Sequence, residues 1–494
     1  MIALTLSEIA TATNGRLDAV PDPETTVTGP VVADSRGVQR GGLFVAIPGE
    51  RVDGHDFAGA AVAAGAVAVL AQRPVEVPAV VVKDSVAALG ELAAAALARI
   101  SPTVVAVTGS SGKTSTKDLL AQVLAARGPI VAPTGSYNTE VGVPLTVLTA
   151  DETTRTLILE MGARGAGHIE YLCGIARPQV AIVLNVGTAH VGEFGGRDEI
   201  ARAKSELVRA LAATGTAVLN ADDPLVRQMA GLTEASVLMF GESVHADIRA
   251  DRVRLDERGR AAFDLVTPAG SERVSLQLVG EHQVSNALAT AAAAWALELD
   301  MAGVAAALSA ATPRSPWRMA VADRPDGVTV VNDAYNANPE SMRAALKALV
   351  ALGATGTGRR MWAVLGEMRE LGDTSAAEHD ALGRLVVRLG VDRLIAVGEQ
   401  ARPIHAGAAS ELDADDARAP EGAPRTAEGS GEEQSGKHAA WVPDAAAALD
   451  VLRKEIDAGD VVLVKASRAA GLESVAEALL AEAVEQSGEQ ENAR

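Results

Sequence analysis

The residues best suited to chemistry lie in TGSSGKTSTK, Thr108 to Lys117. An apolar β-branched run, Thr103 to Val107, precedes them, and Leu119, Leu120, Val123 and Leu124 follow at helical spacing. A strand, a glycine loop and a helix in that order form a phosphate cradle, because backbone N–H groups and the helix N-terminus face the anion. Gly109 and Gly112 let the backbone curl, Lys113 has the reach of β/γ-phosphates, and Thr114 offers a hydroxyl suited to Mg²⁺. The commonest such loop reads G-x-x-x-x-G-K. Here Val107 stands at the first glycine's place, which leaves the narrower pattern TGxxGKT. A Gly/Ser turn without a ligand is the competing reading, and the flanking strand and helix argue against it.

Two further groups stand where α/β sheets place ligands, at the carboxyl ends of strands. Glu160 ends TLILE (Thr156 to Glu160), and His190 follows QVAIVLN (Gln179 to Asn185) within NVGTAH. Alone, each reads as structural. Together beside Thr114 they outline a Mg²⁺ site. Lys204 lies in DEIARAKSELVRALA, where Asp198 is the expected N-cap and Ile200, Leu207 and Leu211 form an apolar stripe. Lys204 falls on that stripe. One reading is a stem packed on the core with its ammonium reaching water. The other is a functional lysine near the metal whose charge is removed by modification. His282 and Asn286 stand four apart at the entry of GEHQVSNALATAAAAWAL, which ordinary capping and packing would explain. NDAYNANPESM (Asn332 to Met342) is turn-rich around Tyr335 at a strand end. VKASR (Val464 to Arg468) closes the last strand with two cations, Lys465 and Arg468, which in an acidic protein suggests an anionic ligand.

The elements that must position these groups follow an α/β rhythm. A length of 494 residues suggests about three domains. The boundaries are expected at Ser101-Pro102 and at PRSPWR (Pro313 to Arg318), giving units 1–101, 102–312 and 313–494. In the first, strand-like runs (Gly42 to Ile47, Ala66 to Ala71, Ala79 to Val82) alternate with Ala-rich helical stretches. The second and third repeat the βαβ pattern of parallel sheets. Apolar residues make up 48% and aromatics 2%, so the cores must be built from Ala, Val and Leu. Residues 405–440 carry Glu411, Asp413, Asp415, Asp416, Glu421, Glu428, Glu432 and Glu433 with hardly a large apolar side chain. They are expected to form a disordered acidic insert, and the tail from Glu485 is expected to behave alike.

Composition excludes several classes. Lys+Arg 44 against Asp+Glu 64 gives a net charge of −20, which disfavours a general nucleic-acid binder. Cys173 is the only cysteine, so there is no intramolecular disulfide and no cysteine zinc site, which fits a reducing compartment. No apolar stretch has the ~20 residues a spanning helix needs. The N-terminus has no basic region followed by a long apolar run. The expectation is a cytoplasmic protein with no membrane insertion.

TGSSGKTS, YNTEVGVPLT, LEMGARGAGHI, NVGTAHVGEFGG, ARAKSEL, GEHQVSNALA, NDAYNANPESM, LGEMRELG and LVKASR occur in the order of the Mur ligases, and the chain resembles that family over nearly its whole length. DSRGVQRGGLFVAIPGERVDGHDF (Asp34 to Phe57) resembles its UDP-sugar domain, and NDAYNANP resembles the member that adds a dipeptide. The resemblance implies an α/β fold of three domains: a UDP-substrate-binding domain, a central P-loop ATPase with a parallel sheet, and a dinucleotide-fold-like ligase domain. It implies a monomer that uses ATP and Mg²⁺ to join D-Ala-D-Ala to UDP-N-acetylmuramoyl-tripeptide through an acyl phosphate, in peptidoglycan precursor synthesis. By the same resemblance, Gly109, Ser110, Ser111, Gly112, Lys113, Thr114 and Ser115 hold ATP phosphates. His282 and Asn286 lie near the adenine, and Asp333 and Asn336 meet ATP from the third domain. Thr114, Glu160, His190 and Lys204 surround the metals, with Lys204 carbamylated and Lys113, Glu160, His190 and Lys204 catalytic. Arg318 or Arg314 is the interdomain arginine. Ser35, Asn138 and Thr139 face the UDP-muramoyl substrate, and Lys465, Ser467 and Arg468 the dipeptide side. A folate polyglutamate ligase would not need the first hundred residues or NDAYNANP. A P-loop kinase or regulatory ATPase would turn over ATP without forming an amide, and a binding module that had lost catalysis would lack Glu160, His190 or Lys204.

Overall fold

A computed structural model describes residues 1–49, 52–187, 196–354, 359–418 and 437–492, except for the side chains of 416–418 and 483–492. His190 lies outside the described residues. Among these, the strands form four sheets in three α/β domains.

The first domain pairs Leu4–Thr5 with Thr26–Val27 and builds a five-stranded sheet in the order Arg16–Asp18, Ala79–Val81, Ala68–Ala71, Leu43–Val45, Val31–Val32. Its long helix Ser85–Ile100 starts at Asp84, whose carboxylate accepts the Val86 and Ala87 N–H groups. The central domain is a nine-stranded sheet. Thr103–Thr108 lies between Thr156–Glu160 and Val180–Val183, parallel to both. This register puts the glycine loop, Glu160 and Asn185 at one sheet edge. The far side turns antiparallel through the hairpin Arg260–Thr267 and Gly270–Val279. Behind the sheet the helix Gln283–Ala296 buries a run of alanines, Ala291 to Ala294, each 0% exposed. Small side chains let it pack close in a chain with few aromatics.

The third domain has six strands, parallel from Thr329–Asn332 through Val461–Lys465, Met361–Leu365 and Arg393–Val397 to His438–Val442. Three expectations need correction here. Residues 405–440 are not disordered throughout: a helix covers Arg402–Arg418 and the strand His438–Val442 closes the sheet, while 419–436 lie outside the described residues. Counting acids missed the apolar row Ile404, Ala408, Leu412, spaced by four, which packs on the helix Ser375–Arg388. The two backbones approach closely, since a Cβ on Gly383 would run into the Ile404 carbonyl. Glu411 is 5% exposed and takes two 2.9 Å bonds from Arg388. The tail is likewise helical, through Glu473–Asn492. Finally, the helix bearing Lys204 begins at Arg197, so Asp198 stands in its first turn and not at its cap. No helix among the described residues is long and apolar enough to cross a membrane.

Candidate active site

The strand Thr103–Thr108 delivers the glycine loop, and the helix Lys113–Val123 starts directly after Gly112. Gly112 sits at φ +83°, and a Cβ there would stand 2.5 Å from Asn286 Oδ1, so conformation and close approach both demand glycine. Asn185 fixes the curl. Its Oδ1 accepts the Ser110 and Ser111 N–H groups at 3.0 Å each, and its Nδ2 donates to the Ser111 carbonyl at 3.2 Å. Lys113 Nζ donates to the Gly109 carbonyl at 2.6 Å. Burial pulls the Lys113 pKa down, and the nearby Glu160 carboxylate opposes that pull.

Glu160 is 1% exposed and fully engaged. Its Oε2 accepts the Thr114 hydroxyl at 2.9 Å, and its Oε1 accepts Ser136 Oγ and Asn138 Nδ2 at 2.7 Å each. From the third-domain side, Arg318 Nη2 donates to Thr114 Oγ1 at 3.0 Å, and its guanidinium stacks 4.0 Å from the Tyr335 ring centroid. Lys204 is 5% exposed and makes no hydrogen bond or ion pair with any described residue. Burial, with Lys113 adding repulsion, holds its pKa well below the ordinary lysine value. A neutral amine is the form that such a place favours.

These groups share one cleft of about 860 Å³ between the central and third domains. Ser110 to Ser115, Asn138, Thr139, Glu160, Lys204, Arg318, Asn336, Ser467 and Arg468 all line it. Several predicted residues do not. Gly109 takes part through its carbonyl alone. Asn286 packs behind the loop, with Thr116 donating to its Oδ1 at 3.3 Å. His282 is half-buried beside Gln283, and desolvation lowers its pKa. Lys465 is 2% exposed, and its ammonium donates to Asp333 Oδ2 at 2.6 Å and to the Asn336 carbonyl at 2.9 Å. Asp333 also accepts the Met319 N–H at 3.0 Å. This pair shapes the turn-rich loop from inside, so Lys465 does not open onto the cleft. Ser35 stands in a single turn of the first domain, Ser35–Gly37, away from the cleft. Arg314 lines a separate small recess beside Asp118 and Gln122, so the arginine that reaches Thr114 is Arg318. Arg468 stacks on Trp317, 4.0 Å from its ring centroid, and pairs with Glu473. Sequence reasoning missed Ser136, Asn185, Arg369 and Glu370. Ser136 stands two before Asn138 and Asn185 ends the strand before NVGTAH, so position alone could have flagged them.

The donors suit a hard cation. Among the described residues no three His, Cys, Asp or Glu side chains gather as a metal cluster. One carboxylate with adjoining hydroxyls fits Mg²⁺, which keeps waters and takes most other ligands from phosphate oxygens.

The chain belongs to the Mur ligase family. Residues 30–105 match "Mur ligase family, catalytic domain", 107–294 "Mur ligase middle domain" and 317–468 "Mur ligase, glutamate ligase domain". It is 48% identical to the UDP-N-acetylmuramoyl-tripeptide–D-alanyl-D-alanine ligase of Mycobacterium tuberculosis, covering 98% of each chain. Its fold is similar to that of MurF from Acinetobacter baumannii, with a TM-score of 0.83 at 32% identity over 97% of this chain and 99% of that one. MurF from Thermotoga maritima, solved in complex with ADP, gives 0.76 at 31% identity over 93% and 99%.

Proposed function

We propose that this enzyme is an ATP-dependent ligase that joins D-alanyl-D-alanine to UDP-N-acetylmuramoyl-tripeptide, giving the pentapeptide precursor of peptidoglycan. The observation that carries this reading is the cleft itself, where a phosphate loop, a carboxylate at its side and cations from a second domain converge. Likeness along 98% of the chain, at 48% identity, to a ligase of that name supplies the substrates. On this reading it works in the cytoplasm, as a monomer.

The loop amides of Ser110 to Ser115 hold the ATP phosphates, and Lys113 leaves the Gly109 carbonyl to follow the γ-phosphate. The tripeptide's terminal carboxylate attacks the γ-phosphorus and ADP departs. The dipeptide amine then attacks the acyl carbon, loses a proton and expels phosphate from the tetrahedral intermediate. Arg318, already on Thr114, stands to neutralise charge on the transferred group. Mg²⁺ would be held by Thr114 and Glu160, with His190 and the modified Lys204 as further ligands by the family resemblance, and would supply charge neutralisation at the phosphates. Lys204 acts as a carbamate in this scheme: its neutral amine adds CO₂ and sheds a proton, turning a buried nitrogen with no partner among the described residues into one negative charge shared by two oxygens. The first domain, 1–101, takes the UDP end, 102–312 binds ATP, and 313–494 brings the dipeptide. Ser35 and Thr139 stay with the UDP-muramoyl substrate, Asp333 and Asn336 shape the third-domain contact to ATP, and Ser467 and Arg468 face the dipeptide. Incubation with ATP, Mg²⁺, UDP-muramoyl-tripeptide and D-Ala-D-Ala should yield the pentapeptide by mass spectrometry. ADP formation without it would refute the reading.

A further inference from the structure

Lys117 is the last residue of the glycine-loop motif, and the mechanism makes no use of it. Its side chain is 0% exposed. An ammonium taken out of water is costly unless its donors are met, and a methionine would fill the same space without that cost. The donors are met by three separate segments. Nζ donates to the Pro133 carbonyl at 2.5 Å and to the Gly135 carbonyl at 3.3 Å, pairs with Asp118 Oδ1 at 2.8 Å, and lies 3.5 Å from Ser315 Oγ. Asp118 Oδ2 accepts the Ser315 N–H at 3.0 Å, so the pair grips the linker between domains from both sides.

What these segments carry gives the contact its meaning. Pro133 and Gly135 immediately precede Ser136 and Asn138, the two donors on Glu160 Oε1. That stretch is neither helix nor strand, and Tyr137 within it is 48% exposed, so little apolar packing holds it. Ser315 stands three residues before Arg318, which reaches Thr114. Thr114 and Lys117 are three apart on one helix, hence on one face. One turn of helix thus touches Glu160 with its first residue and fixes the supports of Glu160 and Arg318 with its second.

We propose that Lys117 is a positioning residue: its buried ammonium anchors the 133–138 stretch and the 313–318 linker to the phosphate-loop helix, so that Ser136 and Asn138 hold Glu160 in place for Mg²⁺ and Arg318 is held on Thr114. The inference rests on the ligase reading only for the activity assay. The test compares Lys117→Met, Ser136→Ala and the double variant by three readouts: amide exchange across 133–138, the Mg²⁺ dependence of binding of a non-hydrolysable ATP analogue, and kcat for ligation. Lys117→Met should lose exchange protection across 133–138 while the helix Lys113–Val123 keeps its own. It should need more Mg²⁺ for analogue binding and lower kcat by about tenfold or more. Ser136→Ala should add less on that background than in the wild type, because both act through Glu160. Unchanged Mg²⁺ dependence and kcat in a folded Lys117→Met, or full additivity with Ser136→Ala, would overturn the proposal. If the methionine variant does not fold, Lys117→Gln, which keeps an N–H donor, is read by the same criteria. A wild type that binds the analogue with Mg²⁺ yet makes no pentapeptide would remove the ligase reading, and the exchange and binding readouts would still decide the role of Lys117.

Discussion

At the scale of single residues, two lysines that line one cleft, Lys113 and Lys204, have different resources. Lys113 has the Gly109 carbonyl and the field of Glu160. Lys204 has no partner among the described residues and a pKa pushed far down by burial. A carbamate would give it the anionic oxygens that Mg²⁺ prefers. Lys204→Arg should therefore lose nearly all ligation while melting close to the wild type, because a guanidinium stays cationic and cannot take up CO₂. Near-normal activity in Lys204→Arg would leave the stem-packing reading in its place. Asn185 makes a second case. It ties two loop N–H groups and one carbonyl through a single side chain, and hydrogen bonds of this kind contribute about 1 kcal/mol each. Asn185→Ala should loosen the loop and weaken ATP binding about tenfold, measured by calorimetry, with a smaller change in kcat. Equal affinity in the two proteins would show that the loop holds its own curl.

Among the elements, the loop 366–371 of the third domain shows how a helix can set a cleft wall from behind. His379, on the helix Ser375–Arg388, is 1% exposed. Its Nδ1–H donates to the Ser375 carbonyl at 2.7 Å, and its Nε2 accepts the Met368 N–H at 2.8 Å. Ser467 Oγ accepts the next N–H, that of Arg369, at 3.0 Å. Burial lowers the His379 pKa, against smaller opposing effects from its bond to Ser375 and from Glu367 and Glu378. The native structure therefore needs the neutral ring. The stability it contributes is whole above about pH 6.5, the unfolded value, and is lost as pH falls through the depressed native value. Thermal melts from pH 7.5 to 5 should show the wild type losing more Tm on acidification than His379→Gln, which starts lower. Parallel curves would remove His379 as the titrating group. This contact also marks where sequence reading stops. Glu160, Lys113 and Lys204 were legible because each holds a fixed place relative to a strand end, a glycine or an apolar stripe. Ser136, Asn185 and Lys465 stand in or beside motifs, yet their partners lie 24, 75 and 132 residues away, so no local pattern gives the contacts they make. The helix Arg402–Arg418 was hidden for a different reason: alanine, isoleucine and glycine pack well where two backbones nearly touch, yet they add little to a hydropathy profile.

Across the whole molecule, the three domains are not joined alike. The first and central domains share one apolar core, in which Ile2, Leu6, Leu43 and Leu92 belong with Leu157, Leu159 and Ile169. The third has cores on the two faces of its own sheet, one of which takes in Val279 of the central domain, and it meets the glycine loop through polar contacts, Asn338 on the Ser110 carbonyl and Arg318 on Thr114. Apolar cores resist separation, whereas small polar interfaces open at low cost. We expect the third domain to be the body that moves, and the cleft lies along its seam with the central one. An acyl phosphate formed while that seam is open would meet water, so closure must precede productive transfer. Closure in turn needs ligands on both walls, because each contributes contacts the other lacks. Phosphate release should therefore be full only with ATP, tripeptide and dipeptide together, and about a hundredfold slower with ATP alone, the loss expected when reacting groups are not brought into register. A coupled phosphate assay with each substrate omitted in turn checks this. Rapid hydrolysis of ATP with neither peptide present would mean that the central domain completes its chemistry without the third, and the polar seam would then be a fixed joint and not a gate.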